Sequence, residues 1–329
     1  MTVLVTGASG HIGAHVVRQL LAQGRAVRAL VRPTSNLKGL EGLDVELVRG
    51  DVLDRSSLTS ALKGCSVLYH MAAIVAEWAR DPAMIHATAI DGTANVLHAV
   101  ADTSGIERII YTSSVAAVGL SESPHDLRNE THYNHEDTTH YSVAKTRAEL
   151  QAKELAATYG LPLVIVNPAV VMGPLDYRPT PATQTVVRLL RFPTAFYFAS
   201  GLNIVHVEDV ARGHLLAQER GSIGERYILG GENLTFLDLF RLFAAIAGKR
   251  PPFLEVGRRT FQALGWGMEL VARLQGKPPL LTRARLRSMI GRYAFYDSSK
   301  AARELGYAAR NAHQVLTDAV HWVRQQGWG

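Results

Sequence analysis

Along the first half of the chain, short β-branched runs alternate with longer stretches in which apolar side chains recur at helical spacing. The runs Val3–Thr6, Ala26–Val31, Val45–Val48, Val67–His70, Arg108–Thr112 and Pro162–Val166 read as strands. Helical periods fill His11–Gln23, Ser57–Leu62, Ala83–Ala101 and Tyr141–Thr158. Such regular alternation predicts an α/β fold, a doubly wound parallel sheet with helices on both faces. The pattern changes after Pro174, where Pro179, Pro181 and Pro193 punctuate loops. One further strand is expected near Arg226–Leu229, and helices over Thr235–Ala247, with Thr235 as N-cap, and Arg258–Leu274. The expected division is a first domain over residues 1–175, rejoined by a later segment at about 203–222, and a smaller, mainly helical region over 176–329. That smaller region would cover the carboxyl edge of the sheet, where open α/β sheets bind ligands.

Composition narrows the class. With 47% apolar side chains over 329 residues the chain can bury a large core, which argues against disorder. The most apolar run, Leu161–Met172, is broken by Asn167 and Pro168. It reads as a buried strand and its exit loop, short of the roughly 18 to 20 apolar residues a membrane span needs. No charged leader precedes Val3, so no targeting peptide is expected and a cytoplasmic address follows. The single cysteine, Cys65, excludes an internal disulfide. The formal charge of +6 suits an anionic cofactor, an anionic substrate or peripheral contact with an anionic membrane surface. Scattered basic residues and the absence of a recognisable module argue against nucleic acid.

Chemistry first becomes specific at Gly7-Ala8-Ser9-Gly10-His11-Ile12-Gly13, between the first strand and the first helix. Glycines there permit a tight turn, close approach of a pyrophosphate, and close packing of helix on sheet, while the helix N-terminus offers N–H donors. The spacing is G-x-x-G-x-x-G, a variant of the commoner dinucleotide fingerprint. At the end of the second strand, where a carboxylate usually meets the ribose of NAD, stands Arg32, followed by Pro33-Thr34-Ser35. A guanidinium there pairs with a 2′-phosphate, so NADP(H) is the expected cofactor and NAD(H) the alternative. Asp51 and Val52 are placed to flank adenine, and Ala72 and Ala73 to let the cofactor backbone pass. Pro168 and Val171, after the sixth strand, complete the cofactor-facing candidates.

A second motif is Tyr141-Ser142-Val143-Ala144-Lys145, downstream of Thr112-Ser113-Ser114 at the end of the fifth strand. Positions i and i+4 share a helix face, so phenol and ammonium can enter one cleft. The ammonium is expected to lower the phenol pKa and to bind the nicotinamide ribose, with a serine hydroxyl holding the substrate oxygen.

Together these motifs resemble the extended short-chain dehydrogenase/reductases, with a Rossmann-type domain, and within them the dihydroflavonol-4-reductase-like group. The likeness covers essentially the whole chain. It is greatest to bacterial members described as hopanoid-associated sugar epimerases, through Val27-Arg28-Ala29-Leu30-Val31-Arg32, Gly201-Leu202-Asn203-Ile204-Val205-His206 and Gly224-Glu225-Arg226-Tyr227-Ile228-Leu229-Gly230-Gly231. The stretch Asp297-Ser298-Ser299-Lys300-Ala301 before Leu305-Gly306-Tyr307 adds to it. The resemblance implies Ser114 as catalytic serine, with Ser113 next in line, and a homodimer formed through two helices. Three positions depart from related patterns. Leu202 replaces the arginine that grips a nucleotide-sugar diphosphate, Val115-Ala116-Ala117 lacks the acidic pair of dehydratases, and Ala89 stands where an asparagine is frequent.

Other features read more plainly. His125, His132, His135 and His140 lie in a loop without metal-ligand spacing, so no metal is expected. Phe192, Phe196, Tyr197 and Phe198 either line an apolar pocket or pack in a core. The segment from Phe261 to Leu274, with Trp266 and Met268 and with Arg258, Arg259 and Arg273 nearby, reads as a lid helix. The expected activity is hydride transfer between NADP(H) and the carbonyl of a hydrophobic small molecule, a ketone or aldehyde on one side and its alcohol on the other. Sugar epimerisation with a cycling cofactor is the alternative, and a non-catalytic NADP(H) sensor a second.

Overall fold

A computed structural model describes residues 2–75, 82–135, 139–257, 260 and 290–329. Apart from Thr260, the expected Arg258–Leu274 helix and the lid assigned to it lie outside these residues.

The first layer is built from β1 (Thr2–Thr6), α1 (His11–Ala22), β2 (Ala26–Val31), β3 (Glu46–Arg49), α2 (Arg55–Leu62), β4 (Cys65–His70), α3 (Pro82–His86), α4 (Gly92–Ala101), β5 (Arg108–Thr112), α5 (His140–Tyr159) and β6 (Leu163–Pro168). It is joined by α7 (Val207–Arg220), β10 (Arg226–Leu229) and α9 (Ser299–Leu305). Seven strands form one sheet in the order β3-β2-β1-β4-β5-β6-β10. Every neighbouring pair runs parallel.

Side chains alternate across this sheet with the strand period of two. Val3 and Val5, Val67 and Tyr69, Ile110, Val164 and Val166 face a core closed by α1, α7 and α9. Leu4, Leu68, Ile109, Tyr111, Leu163 and Ile165 face the opposite core, closed by α2, α4 and α5. Burial on both faces explains why the strands read as apolar runs. The strand order reverses direction between β1 and β4, so the loops leaving these two strands diverge and open a crevice at their carboxyl ends.

The expected helix over Ala83–Ala101 is interrupted by a π-helical turn at Ala87–Asp91 between α3 and α4. At its exit Gly92 lies against Val52, whose Cγ2 would stand 2.8 Å from an added Cβ.

Beyond residue 168 the apolar pattern concealed a second sheet. β9 (Gly201–His206) pairs antiparallel with β11 (Glu232–Thr235) and parallel with β7 (Val170–Met172) and β13 (Tyr293–Ala294). Thus Val170–Met172, expected as an exit loop, is a short strand. Within 203–222, it is α7 that packs on α1, while β9 belongs to the small sheet. Around that sheet α6 (Pro181–Arg191), α8 (Phe236–Ala247) and α10 (Ala312–Gln325) bury Val186, Leu190, Phe243, Val315 and Leu316 in a third core. Thr235 caps α8 as expected, accepting from the Asp238 N–H. β8 (Phe196–Tyr197) pairs with β12 (Leu254–Glu255) at the periphery. Among the described residues no helix is long and apolar enough to cross a membrane.

Candidate active site

The glycine turn sits where β1 ends, in the crevice between the two halves of the sheet. Gly7 has φ of +71°, and a Cβ on it would lie 2.8 Å from the Met71 carbonyl oxygen and the Ala72 nitrogen. Only glycine allows the loop leaving β1 to touch the loop leaving β4 this closely. Thr6 ties the same loops together: its Oγ1 accepts from the Met71 and Ala72 N–H groups at 3.2 and 3.3 Å and bonds to His70 Nδ1 at 2.8 Å. Gly13 has the second steric requirement, since its Cβ would approach the Gly7 carbonyl to 2.2 Å. Gly10, exposed at the N-cap of α1, carries no side-chain cap. The first turn of α1, His11-Ile12-Gly13, therefore presents N–H donors toward solvent beside Ser9, an arrangement fitted to a pyrophosphate.

Two imidazoles fasten this turn to the chain leaving β7. Nε2 of His11 and Nε2 of His15 both donate to the Pro174 carbonyl, at 3.0 and 3.1 Å. Burial lowers the pKa of both rings, that of His15 to about 4, which keeps them neutral. The sequence marks His11 as a cofactor-facing residue at the start of a helix but not this contact, because its partner lies 163 positions away.

The remaining cofactor candidates lie at or beyond the carboxyl ends of β2, β3, β4 and β6, with Val171 on β7. Arg32 is exposed at the end of β2, its backbone N–H bonded to Ser35 Oγ at 3.0 Å. Among the described residues no carboxylate forms an ion pair with its guanidinium. Asp51, partly buried beyond β3, accepts the Leu53 N–H at 3.0 Å. Val52 is buried, and Ala72 and Ala73 are partly exposed beyond β4. Pro168 closes β6 in register with Leu229, and Val171 lies on β7 opposite Val205.

Helix α5 delivers the second motif. Thr139 caps it, accepting the Ser142 N–H at 3.0 Å, and Ser142 Oγ accepts in turn from the Thr139 N–H at 3.2 Å. Tyr141, in the first turn, is partly buried, and Lys145, one turn on, is 3% exposed. The Lys145 ammonium donates to the Thr112 carbonyl at 2.9 Å and stands 5.7 Å from the centre of the Tyr111 ring. Burial pulls its pKa down to about 8 against the opposing charge of Glu149.

The expected lowering of the phenol pKa by Lys145 is not what the structure shows. Dehydration pushes the Tyr141 phenol up, and the group that opposes the rise is the Ser114 hydroxyl. The physical reason is the loss of water around the buried phenol, and the ammonium itself is committed to the Thr112 carbonyl. Ser114 caps a short 3-10 turn, Oγ accepting the Ala116 N–H at 3.1 Å, and reaches the phenol; Ser113, 3% exposed, has no hydrogen-bond partner for its Oγ among the described residues. β5 and α5 thus bring Ser114, Tyr141 and Lys145 to one place, at the carboxyl end of the strand next to the crevice.

Other expected features separate from this site. Among the described residues no cluster of three metal-ligating side chains is present; His132 bonds to Asn129 at 2.8 Å and His140 to His86 at 3.4 Å. Phe192 is 73% exposed, and Phe198 packs edge-on against Phe236 at 5.0 Å. A depression of about 350 Å³ bounded by Pro179, Arg188, Phe192 and Trp328 lies on α6, away from Tyr141. Leu202, in place of a phosphate-gripping arginine, packs against the third core.

Comparison with known proteins shows the family. The profile described as NAD dependent epimerase/dehydratase family matches residues 3–230. A putative dihydroflavonol 4-reductase of Synechocystis sp. is 38% identical over 98% of this chain and 95% of its own. A 4-hydroxy-2-methyl-3-oxo-4-farnesyl-3,4-dihydroquinoline-1-oxide ketoreductase of Stigmatella aurantiaca is 31% identical over 100% of this chain and 98% of its own. Among solved structures, gox2253 superposes with a TM-score of 0.88 at 42% identity, covering 99% of both chains.

Proposed function

The chain belongs to the NAD dependent epimerase/dehydratase family, extended short-chain NAD(P)-dependent oxidoreductases, and from that premise we propose that it is an NADP(H)-dependent reductase of hydrophobic ketones or aldehydes. The observation that carries this reading is the convergence of Ser114, Tyr141 and Lys145 at the carboxyl end of β5, with the phenol kept protonated by burial.

NADPH, when bound, supplies the hydride. The residues of this chain do the rest. The first turn of α1 and Ser9 hold the pyrophosphate, and Arg32, free of a carboxylate among the described residues, pairs with the 2′-phosphate. Asp51, Val52, Ala72 and Ala73 bound the adenosine side; Pro168 and Val171 bound the nicotinamide side. Ser114 Oγ orients the carbonyl oxygen, and Tyr141, a neutral phenol near pH 7, gives that oxygen its proton as negative charge develops. Lys145, held on the Thr112 carbonyl one helical turn beyond the phenol, is the group that would bind the nicotinamide ribose.

Reduction suits this site better than epimerisation of a nucleotide sugar on one further ground. Leu202 contributes to an apolar core and offers no cation to a diphosphate. The Stigmatella relative, a ketoreductase of a farnesylated 3-oxo compound, supports a hydrophobic carbonyl substrate.

The test is a panel of apolar ketones, aldehydes and lipid-like carbonyls scored by NADPH oxidation. Tyr141→Phe should lower kcat by at least about 10²-fold, the scale of lost general-acid catalysis, with the NADPH Kd nearly unchanged. Retained turnover removes Tyr141 from this role. Tightly retained NAD(H) with no net NADPH oxidation replaces reduction by epimerisation.

A further inference from the structure

Behind the Tyr141–Lys145 face lies a buried polar knot that the reaction outlined above does not use. Glu149 stands one helical turn beyond Lys145 on α5, is fully buried, and meets two partners from different strands. From β6, Asn167 donates from Nδ2 to Glu149 Oε2 at 2.7 Å, and the same Nδ2 reaches the Ser114 carbonyl at 3.0 Å. From β10, Arg226, 3% exposed, brings Nη1 to 3.0 Å from Glu149 Oε1. That contact is off the hydrogen-bonding direction, so the pair is held by charge rather than by an aligned bond. The other face of the guanidinium lies 4.2 Å from the centre of the Tyr133 ring.

Burying two opposite charges rarely stabilises a fold more than an apolar pair of equal size would. The connectivity indicates what this pair serves. Asn167 bridges the Glu149 carboxylate to the backbone of the candidate catalytic serine, while the helix carrying Glu149 also carries Tyr141 and Lys145. Three elements that must agree in position therefore share one anion. We propose that Glu149, held by Asn167 and Arg226, is a positioning residue that locks the Tyr141–Lys145 face of α5 to the Ser114 segment and supplies the negative charge facing Lys145. The inference rests on the catalytic reading of Tyr141, Lys145 and Ser114.

The charged and titratable groups around Lys145 are few. His70 faces it from β4 and is driven neutral by burial and by the ammonium itself. Tyr111 faces it from β5, and Tyr141 and Glu149 flank it on α5. Arg226 stands behind Glu149 on β10. Of these, Glu149 is the group that favours the charged form of Lys145. Without its carboxylate the ammonium loses its proton at lower pH.

The test reads Lys145 directly and does not depend on knowing the substrate. In ¹⁵N-lysine-labelled protein, the Nζ resonance missing from Lys145→Arg is followed through a pH titration. Glu149→Gln alone leaves Arg226 buried and unpaired, so Glu149→Gln is combined with Arg226→Met, which removes both charges and keeps the volume. The midpoint should fall by about one pH unit in the double variant, the scale expected for losing a neighbouring charge, and Glu149→Asp should recover part of that fall. The alkaline limb of kcat/KM for NADPH oxidation should move in the same direction. An unchanged Nζ midpoint in the folded double variant overturns the proposal, even if Tyr141→Phe is inactive. Conversely, an active Tyr141→Phe with a shifted midpoint sinks the catalytic reading and leaves the electrostatic one standing.

Discussion

Dehydration sets the working charges of Tyr141 and Lys145 in opposite senses. The phenol is pushed up and stays protonated through neutral pH, while the ammonium is pulled down to about 8. A reductase that needs Lys145 charged and Tyr141 protonated should be fully active near pH 7 and lose kcat/KM above about pH 8, as Lys145 gives up its proton. A flat profile from pH 7 to 10 would show that its charge is not required. At the opposite end of the crevice, Arg32 is the one candidate whose role is decided by charge alone. Arg32→Asp places a carboxylate where the 2′-phosphate is proposed to sit and should reverse the NADPH over NADH preference, by at least about tenfold for an exposed charge-assisted pair. An unaltered ratio of kcat/KM for the two cofactors would remove Arg32 from phosphate recognition. Both residues were readable in the sequence as types at positions; the upward shift of the phenol was not, because it depends on what surrounds Tyr141.

Among the elements, α5 carries the largest share of the candidate site and shows why its ends matter. Thr139 and Ser142 form a reciprocal cap at its start, two residues before Tyr141, and Gly160, with φ of +63°, ends it in the left-handed conformation. Thr139→Ala should cost about 0.5–2 kcal/mol of stability, measured by denaturant unfolding, with a larger loss of kcat than of NADPH affinity as the first turn frays. No change in either would show that tertiary contacts alone hold that turn. The glycine turn illustrates a different limit. Its spacing could be read directly, but the clasp of His11 and His15 on Pro174 joins residues 163 and 159 positions apart, which no local pattern encodes. The small sheet was missed for a related reason. Its strands β7 and β13 have three and two residues, too few for any period to declare itself.

For the whole molecule, buried histidines couple stability to pH. Dehydration lowers His15 and His214 to about 4 and His70 to about 3, against an ordinary value of 6.5. Below pH 6.5 the unfolded chain binds protons that the folded one refuses, so stability is present above that value and is lost as pH falls toward 4 and 3. Each such imidazole contributes a slope of about 1.4 kcal/mol per pH unit in its window. The melting temperature should therefore fall steeply between pH 6.5 and 4, and His214→Gln should flatten the fall. A melting temperature independent of pH across this range would mean that these rings are protonated in the folded state.

The sequence by itself determined the class of the first layer, because strands buried on both faces and amphipathic helices between them write their periods into neighbouring residues. It also marked the glycine turn and the Tyr141–Lys145 pair, since one helix and one loop suffice to place them. Glu149 stood at the next i+4 position after Lys145 and was passed over, for helical spacing alone does not distinguish an exposed carboxylate from a buried one. Only the tertiary structure decided that β6 and β10 would bring Asn167 and Arg226 to it, that the chain beyond residue 168 would form a second sheet, and that Lys145 would turn to Thr112. Those outcomes depend on contacts between distant segments, whose energies come from burial and desolvation and exist only once the segments meet.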